Sequence, residues 1–150
     1  MAGSTTNDST MVSLGKFRVG GYAYWAPFGT ALPTDSSTPL AAAFKLLGYL
    51  SEDGLTNTTD TAEIKDANGT TVMKVITSYA ESYQFALLEV LRVEAAKMRY
   101  NSDAVTGTDK SMTIKHQMPS DEDFVLVFEI AMTGDVKDRL VIGNATRAEF

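Results

Sequence analysis

The run Phe124–Met132, FVLVFEIAM, limits the fold more than any other stretch, because it is apolar on both faces apart from Glu129. A short run of this kind, rich in β-branched and aromatic residues, reads as a strand covered on both sides, so it is expected at the centre of a sheet. Glu129 is then the anomaly. An acid there is a buried functional group, an edge charge that discourages stray strand pairing, or a side chain facing a partner subunit or a polar lumen. We favour the last reading, which makes Glu129 a candidate lumen-facing acid.

The rest of the chain alternates like strands around one short helix. Tyr79, Tyr83, Phe85 and Leu87 fall on one side of a two-residue period and Ala80, Ser82, Gln84 and Ala86 on the other, as in a half-buried strand. At Leu87 the spacing becomes helical through Leu91, Ala95 and Met98. Glu89 would lie in the first turn and Lys97 and Arg99 in the last, where the helix dipole favours those signs. Upstream, Asn68-Gly69 between residues 62–65 and 70–76 predicts a tight hairpin. Residues 17–25 predict a strand interrupted by Gly20 and Gly21. Residues 26–39 hold three of the four prolines and predict a loop, 44–50 a strand, 51–54 a turn and 55–61 an exposed, β-compatible segment. Downstream, 101–109 predict a loop, 111–118 a strand, 134–138 a turn, 139–144 an antiparallel strand and 146–150 a further strand pattern. The fold class is therefore mainly β, at the margin of α+β: an antiparallel β-sandwich or open barrel with one flanking α-helix. Residues 1–16 read as a flexible N-terminal arm and 17–150 as a single domain.

Charge and composition exclude several functions. A net charge of -6 opposes a surface that grips nucleic-acid phosphates. Without cysteine there is no disulfide, thiolate nucleophile or Cys-based metal site. The single histidine, His116, lies in an alternating segment with Met112, Ile114 and Met118 and suits packing better than catalysis. The acids at 52–53 and 121–123 lack calcium-loop spacing, and there is no phosphate-binding glycine loop. No enzyme activity, cofactor or metal is expected. The start lacks the basic and apolar pattern of a signal peptide, and no segment approaches a membrane span, so no membrane insertion is expected.

Four runs then carry a resemblance: AYWAPFGTALPTD at 23–35, LGYLSEDGL at 47–55, DTAEIKDANG at 60–69 and FALLE at 85–89. In order and spacing they resemble the major tail tube proteins of long, flexible-tailed bacteriophages, over residues 17–147. The resemblance implies a tail-tube β-sandwich whose copies form stacked, hexameric rings, with an acidic lumen that conducts DNA without binding it. It implies the tape measure protein and other tail proteins as partners. The protein would be made in the bacterial host cytoplasm and kept in the virion tail. By position, the arm, 51–60 and 101–110 become inter-ring or subunit contacts, with Ser51, Glu52, Asp53, Gly54, Leu55, Asp103, Thr106 and Asp109 as the candidate residues. Relatives of this kind are expected to continue past Phe150 with another strand, so one sheet would lack its closing strand. Two alternatives stand beside this reading. One is a related tube or ring component of a secretion or injection machine; the other is a β-sandwich glycan- or surface-binding module using Tyr22, Tyr24, Trp25 and Phe28 as a stacking platform.

Overall fold

In the computed structural model, residues 6–7, 9–11, 14–18, 22–132 and 136–148 are described. In chain order the strands are β1 (Gly15–Phe17), β2 (Ala23–Pro27), β3 (Lys45–Leu46), β4 (Thr56–Lys65), β5 (Thr71–Gln84), β6 (Val105–Thr108), β7 (Ser111–Ile114), β8 (Phe124–Met132) and β9 (Lys137–Ala145). One α-helix, α1 (Val93–Tyr100), lies between β5 and β6. The chain divides into two units, Met1–Tyr49 with Glu89–Phe150, and Leu50–Leu88.

In the first unit, β8 takes the central place its apolar character predicts. β2 pairs with its first half and β1 with its second along one edge, β9 pairs along the other, and β3 lies beyond β2. Every pairing is antiparallel. Val125, Val127, Ala26 and Phe44 form a buried cluster, with Tyr24, Leu40 and Val141 packed against it. Trp25 meets Phe124 edge to face at 5.7 Å between ring centroids. Burying each large apolar side chain contributes about 1.5–3 kcal/mol, so a strand hidden on both faces anchors the unit.

The helix starts later than the spacing predicts. Residues 85–87 stay out of the helix because Ser51 N–H donates to the Ala86 carbonyl and Leu50 bridges Leu87. The Glu89 carboxylate accepts from Tyr49 N–H and from Arg92, which turns the chain before Val93. Glu94 thus occupies the first turn in place of Glu89, while Lys97 and Arg99 sit in the last as expected. β3 is shorter than the strand predicted at 44–50. Gly48 has a φ of +101°, and the space a Cβ would need there is filled by the Glu89 side chain. β7 ends at Ile114, short of Met118, and β9 ends at Ala145, so the strand pattern at 146–150 does not form over residues 146–148. Gly20, Gly21, Gly134, Phe150 and part of the N-terminal arm lie outside the described residues.

The second unit is the β4–β5 hairpin. Its turn forms where Asn68-Gly69 predicts it: the Asp66 carboxylate accepts from the N–H groups of Asn68 and Thr70, both at 2.9 Å, and Gly69 takes a φ of +79°. The half-buried strand predicted through Tyr79 is realised only from Tyr83 onward, since Tyr79 is 62% exposed. Alternation shows which side chains share a face but not whether anything covers that face. Among the described residues the fold is mainly β, antiparallel throughout, with one α-helix and no sheet that closes into a barrel, in agreement with the β-sandwich expectation.

Candidate assembly surfaces

Residues 51–55 form an extrusion on the hairpin. Leu50 pairs with Leu87 and Thr56 with Gln84, so five residues on one strand (51–55) face two on the other (85–86). The excess loops out through a turn closed by Gly54 N–H on the Ser51 carbonyl, with Gly54 at a φ of +65°. Glu52 and Asp53 are exposed at its tip, and Ser51, Gly54 and Leu55 are half-buried. The sequence indicates a turn here; its being an insertion into a continuing strand pair depends on residues 85–87.

Residues 101–110 are built around α1. The Arg92 side chain makes no cap, so Asp109 supplies one by accepting from Val93 N–H at 2.9 Å, which places a negative charge at the helix start. Lys110 N–H, from a residue at φ +62°, reaches the Leu91 carbonyl. Asp103 accepts from Ser120 Oγ at 2.9 Å, and buried Asn101 holds Asp103 N–H and the Ser120 carbonyl. Thr106 is exposed on β6 opposite Thr113. Asp103, Thr106 and Asp109 are exposed, but the carboxylates of Asp103 and Asp109 already hold their own subunit together. At the other end of α1, Arg147 donates to the carbonyls of Lys97 and Met98 and to Glu122, with its guanidinium over the Phe124 ring. No sequence spacing signals that clamp, because Arg147 lies far from α1 in the chain.

Glu129 is 4% exposed. It lies opposite Arg139 in the β8–β9 register, and Arg139 Nε donates to Oε1 at 2.6 Å. Arg18 Nη1 makes an ion contact with Oε2 at 2.7 Å, without hydrogen-bond geometry. The two guanidinium groups also clamp the 35–38 loop: Arg139 donates to the carbonyls of Asp35 and Thr38, and Arg18 to that of Ser36. Within the loop, the Thr38 hydroxyl and the N–H groups of Thr38 and Ser37 hold the Asp35 carboxyl down at a pKa of about 2. The signal that could have found this network is the alignment of Glu129 with Arg139 across a hairpin, which needs the register.

One cluster escaped the sequence reading. On the hairpin, Glu81 accepts from Tyr83 Oη at 2.7 Å, Asn57 Nδ2 at 2.6 Å and Tyr79 Oη at 3.0 Å. These hydrogen bonds, Tyr83 first, hold the Glu81 carboxyl below the usual range and push both tyrosine hydroxyls up. The proposed aromatic platform divides: Tyr22 and Trp25 are buried, Tyr22 stacked on Phe17 at 4.7 Å, while Phe28 is exposed. His116 is exposed with its ring edge-on to Tyr100. Among the described residues no group of acids and histidine could hold a metal ion, and no helix is long and apolar enough to cross a membrane.

A family model described as phage tail tube protein matches residues 5–147 of the chain. No curated protein and no solved structure matches it.

Proposed function

The chain belongs to the phage tail tube proteins, structural components of the virion tail that assemble with one another and with other tail proteins, and from that premise we propose how this chain does so. Its copies join into hexameric rings that stack into a tube around an open channel, through which DNA passes during genome delivery, with the tape measure protein as a partner. Residues 17–150 act as one tube domain, with 1–16 as an arm between rings.

The observation that carries this reading is the β4–β5 hairpin. Among the described residues β4 and β5 pair only with each other, as a two-stranded sheet, and nearly all their described side chains are exposed. An isolated hairpin is marginal in water, and open edges are templates for strand addition. Joining copies through the outer edges of β4 and β5 would extend this sheet from subunit to subunit. The extruded turn, with Glu52 and Asp53 at its tip and Ser51, Gly54 and Leu55 behind it, is the proposed ring contact, together with the surface around Asp103, Thr106 and Asp109. The net charge of -6 supports passage of DNA, since like charge prevents the phosphate contacts that would stall it. Glu129 would face the channel only after releasing its two arginines.

Negative-stain electron microscopy of the purified chain over a concentration series, beside sedimentation velocity, tests the proposal. Tubes or stacked rings with a central channel are expected. Monomer at every concentration would refute it.

A further inference from the structure

Residues paired across an antiparallel sheet share a face, so the unbroken register from Thr56↔Gln84 to Ala62↔Ser78 sorts the hairpin into two surfaces. One carries Asn57, Thr59, Thr61, Tyr79, Glu81 and Tyr83. The other offers only Thr, Ser, Ala, Asp and Gln side chains, with Asp60 as its single charge.

We propose that the tyrosine face is the surface this hairpin buries against a second copy of the chain, and that the Thr/Ser/Ala face stays wet in the tube. The inference rests on the tail tube reading and names which side of the hairpin is the contact. Three observations support it. Glu81 is already satisfied by three donors from its own face, so its charge and both hydroxyls can leave water without becoming orphans, the condition for burying polar groups cheaply. Tyrosine is enriched at the centres of interfaces because it offers a large apolar area with a polar tip, and Tyr79 is largely exposed here. The small polar side chains of the opposite face supply little apolar area for association. A second copy is the occupant because the function proposed above for this tail tube family member joins copies of the chain to one another through this hairpin.

The absence of cysteine allows a direct test in the full-length chain. Thr58→Cys and Thr59→Cys place one thiol on each face at neighbouring positions, with Ser82→Cys and Thr61→Cys as their respective seconds. Each is treated with N-ethylmaleimide, free and in tubes, and labelling is followed by mass spectrometry. In the free chain all four react readily. In tubes, Thr59→Cys and Thr61→Cys are expected to slow by an order of magnitude while Thr58→Cys and Ser82→Cys keep their rates. Tubes in which the Thr59 and Thr61 variants react freely, or in which the Thr58 and Ser82 variants are the protected pair, overturn the face assignment and leave the tail tube reading intact. Protection of Thr59→Cys in the free chain also overturns it, since the face would then be covered by its own subunit. If the unsubstituted chain forms no tubes, the functional reading itself fails. As a second measure, Tyr83→Ser should raise the protein concentration at which tubes appear and Ser82→Ala should not; equal effects would refute the assignment.

Discussion

Glu129→Gln probes the fold at its most polarised point. The carboxylate lies inside the sheet between Arg139, whose side chain is 5% exposed, and Arg18, whose side chain is 23% exposed. Glutamine keeps the shape and one acceptor, but it removes the negative charge and presents an amide donor to one of two guanidinium groups. Removing one partner of a buried ion pair costs about 3–5 kcal/mol, mostly through the charge left behind. Here Arg139 retains two loop carbonyls, and the network borders a cleft of about 420 Å³ that admits water. The lower end, about 3 kcal/mol, is therefore expected. For a chain of this size that corresponds to a melting temperature lower by about 6–12 °C. Urea denaturation followed by circular dichroism measures it, with the midpoint falling and the slope unchanged. A loss below about 0.5 kcal/mol would refute the reasoning, because surface substitutions typically stay within that range. Glu129 would then not be bound within its own subunit, and its charge would be free for a neighbour or for the channel.

Other consequences follow from the same geometry. Arg147→Ala removes the groups that satisfy the last carbonyls of α1 together with the contacts to Glu122 and Phe124. A loss of about 2 kcal/mol in urea is expected, and Arg147→Lys should not restore it, because a point charge cannot reproduce the planar fork. Gly107→Ala should destabilise the β6–β7 hairpin by at least about 2 kcal/mol, since the residue sits at a φ of +115° and its Cβ would lie 2.8 Å from Met112 Cα and against the Ser111 carbonyl; a neutral result would refute that packing. Asp35 has a folded pKa depressed to about 2, so its contribution is present above the ordinary carboxylate range and lost as pH falls toward 2. The amide protons of Ser37 and Thr38 should titrate by NMR with that midpoint; a midpoint near the ordinary value of about 4 would mean the turn is not held by Asp35.

Local signals in the sequence carried much of the fold. The FVLVFEIAM run located the central strand, since an apolar run needs cover on both faces wherever it sits. Asn68-Gly69 located the hairpin turn, because its backbone conformation is a property of those residues. Signals that compete locally read less well. Helical spacing begins at Leu87, yet α1 begins at Val93, because Leu87 is taken by a strand bridge to Leu50 and Glu89 by the chain at Tyr49 and Arg92. Of the candidate site, the turn at 51–54 was legible. The cap that Asp109 provides to α1 was not, because it depends on bringing the β6–β7 turn against the helix start.

The sequence by itself determined what each segment can be: the strand at 124–132, the turn at 68–69, the mainly β class, and, through four runs of residues, the tail tube family. Tertiary structure alone decided which groups meet. Arg18 and Arg139 converge on Glu129 from opposite edges of β8, Arg147 closes a helix about fifty residues away in sequence, and Tyr79, Tyr83 and Asn57 share one carboxylate on one face of a hairpin. Periodicity describes a residue's relation to its own segment, whereas hydrogen bonds and ion pairs depend on register between segments, and a shift of one residue moves every side chain of a strand to the other face.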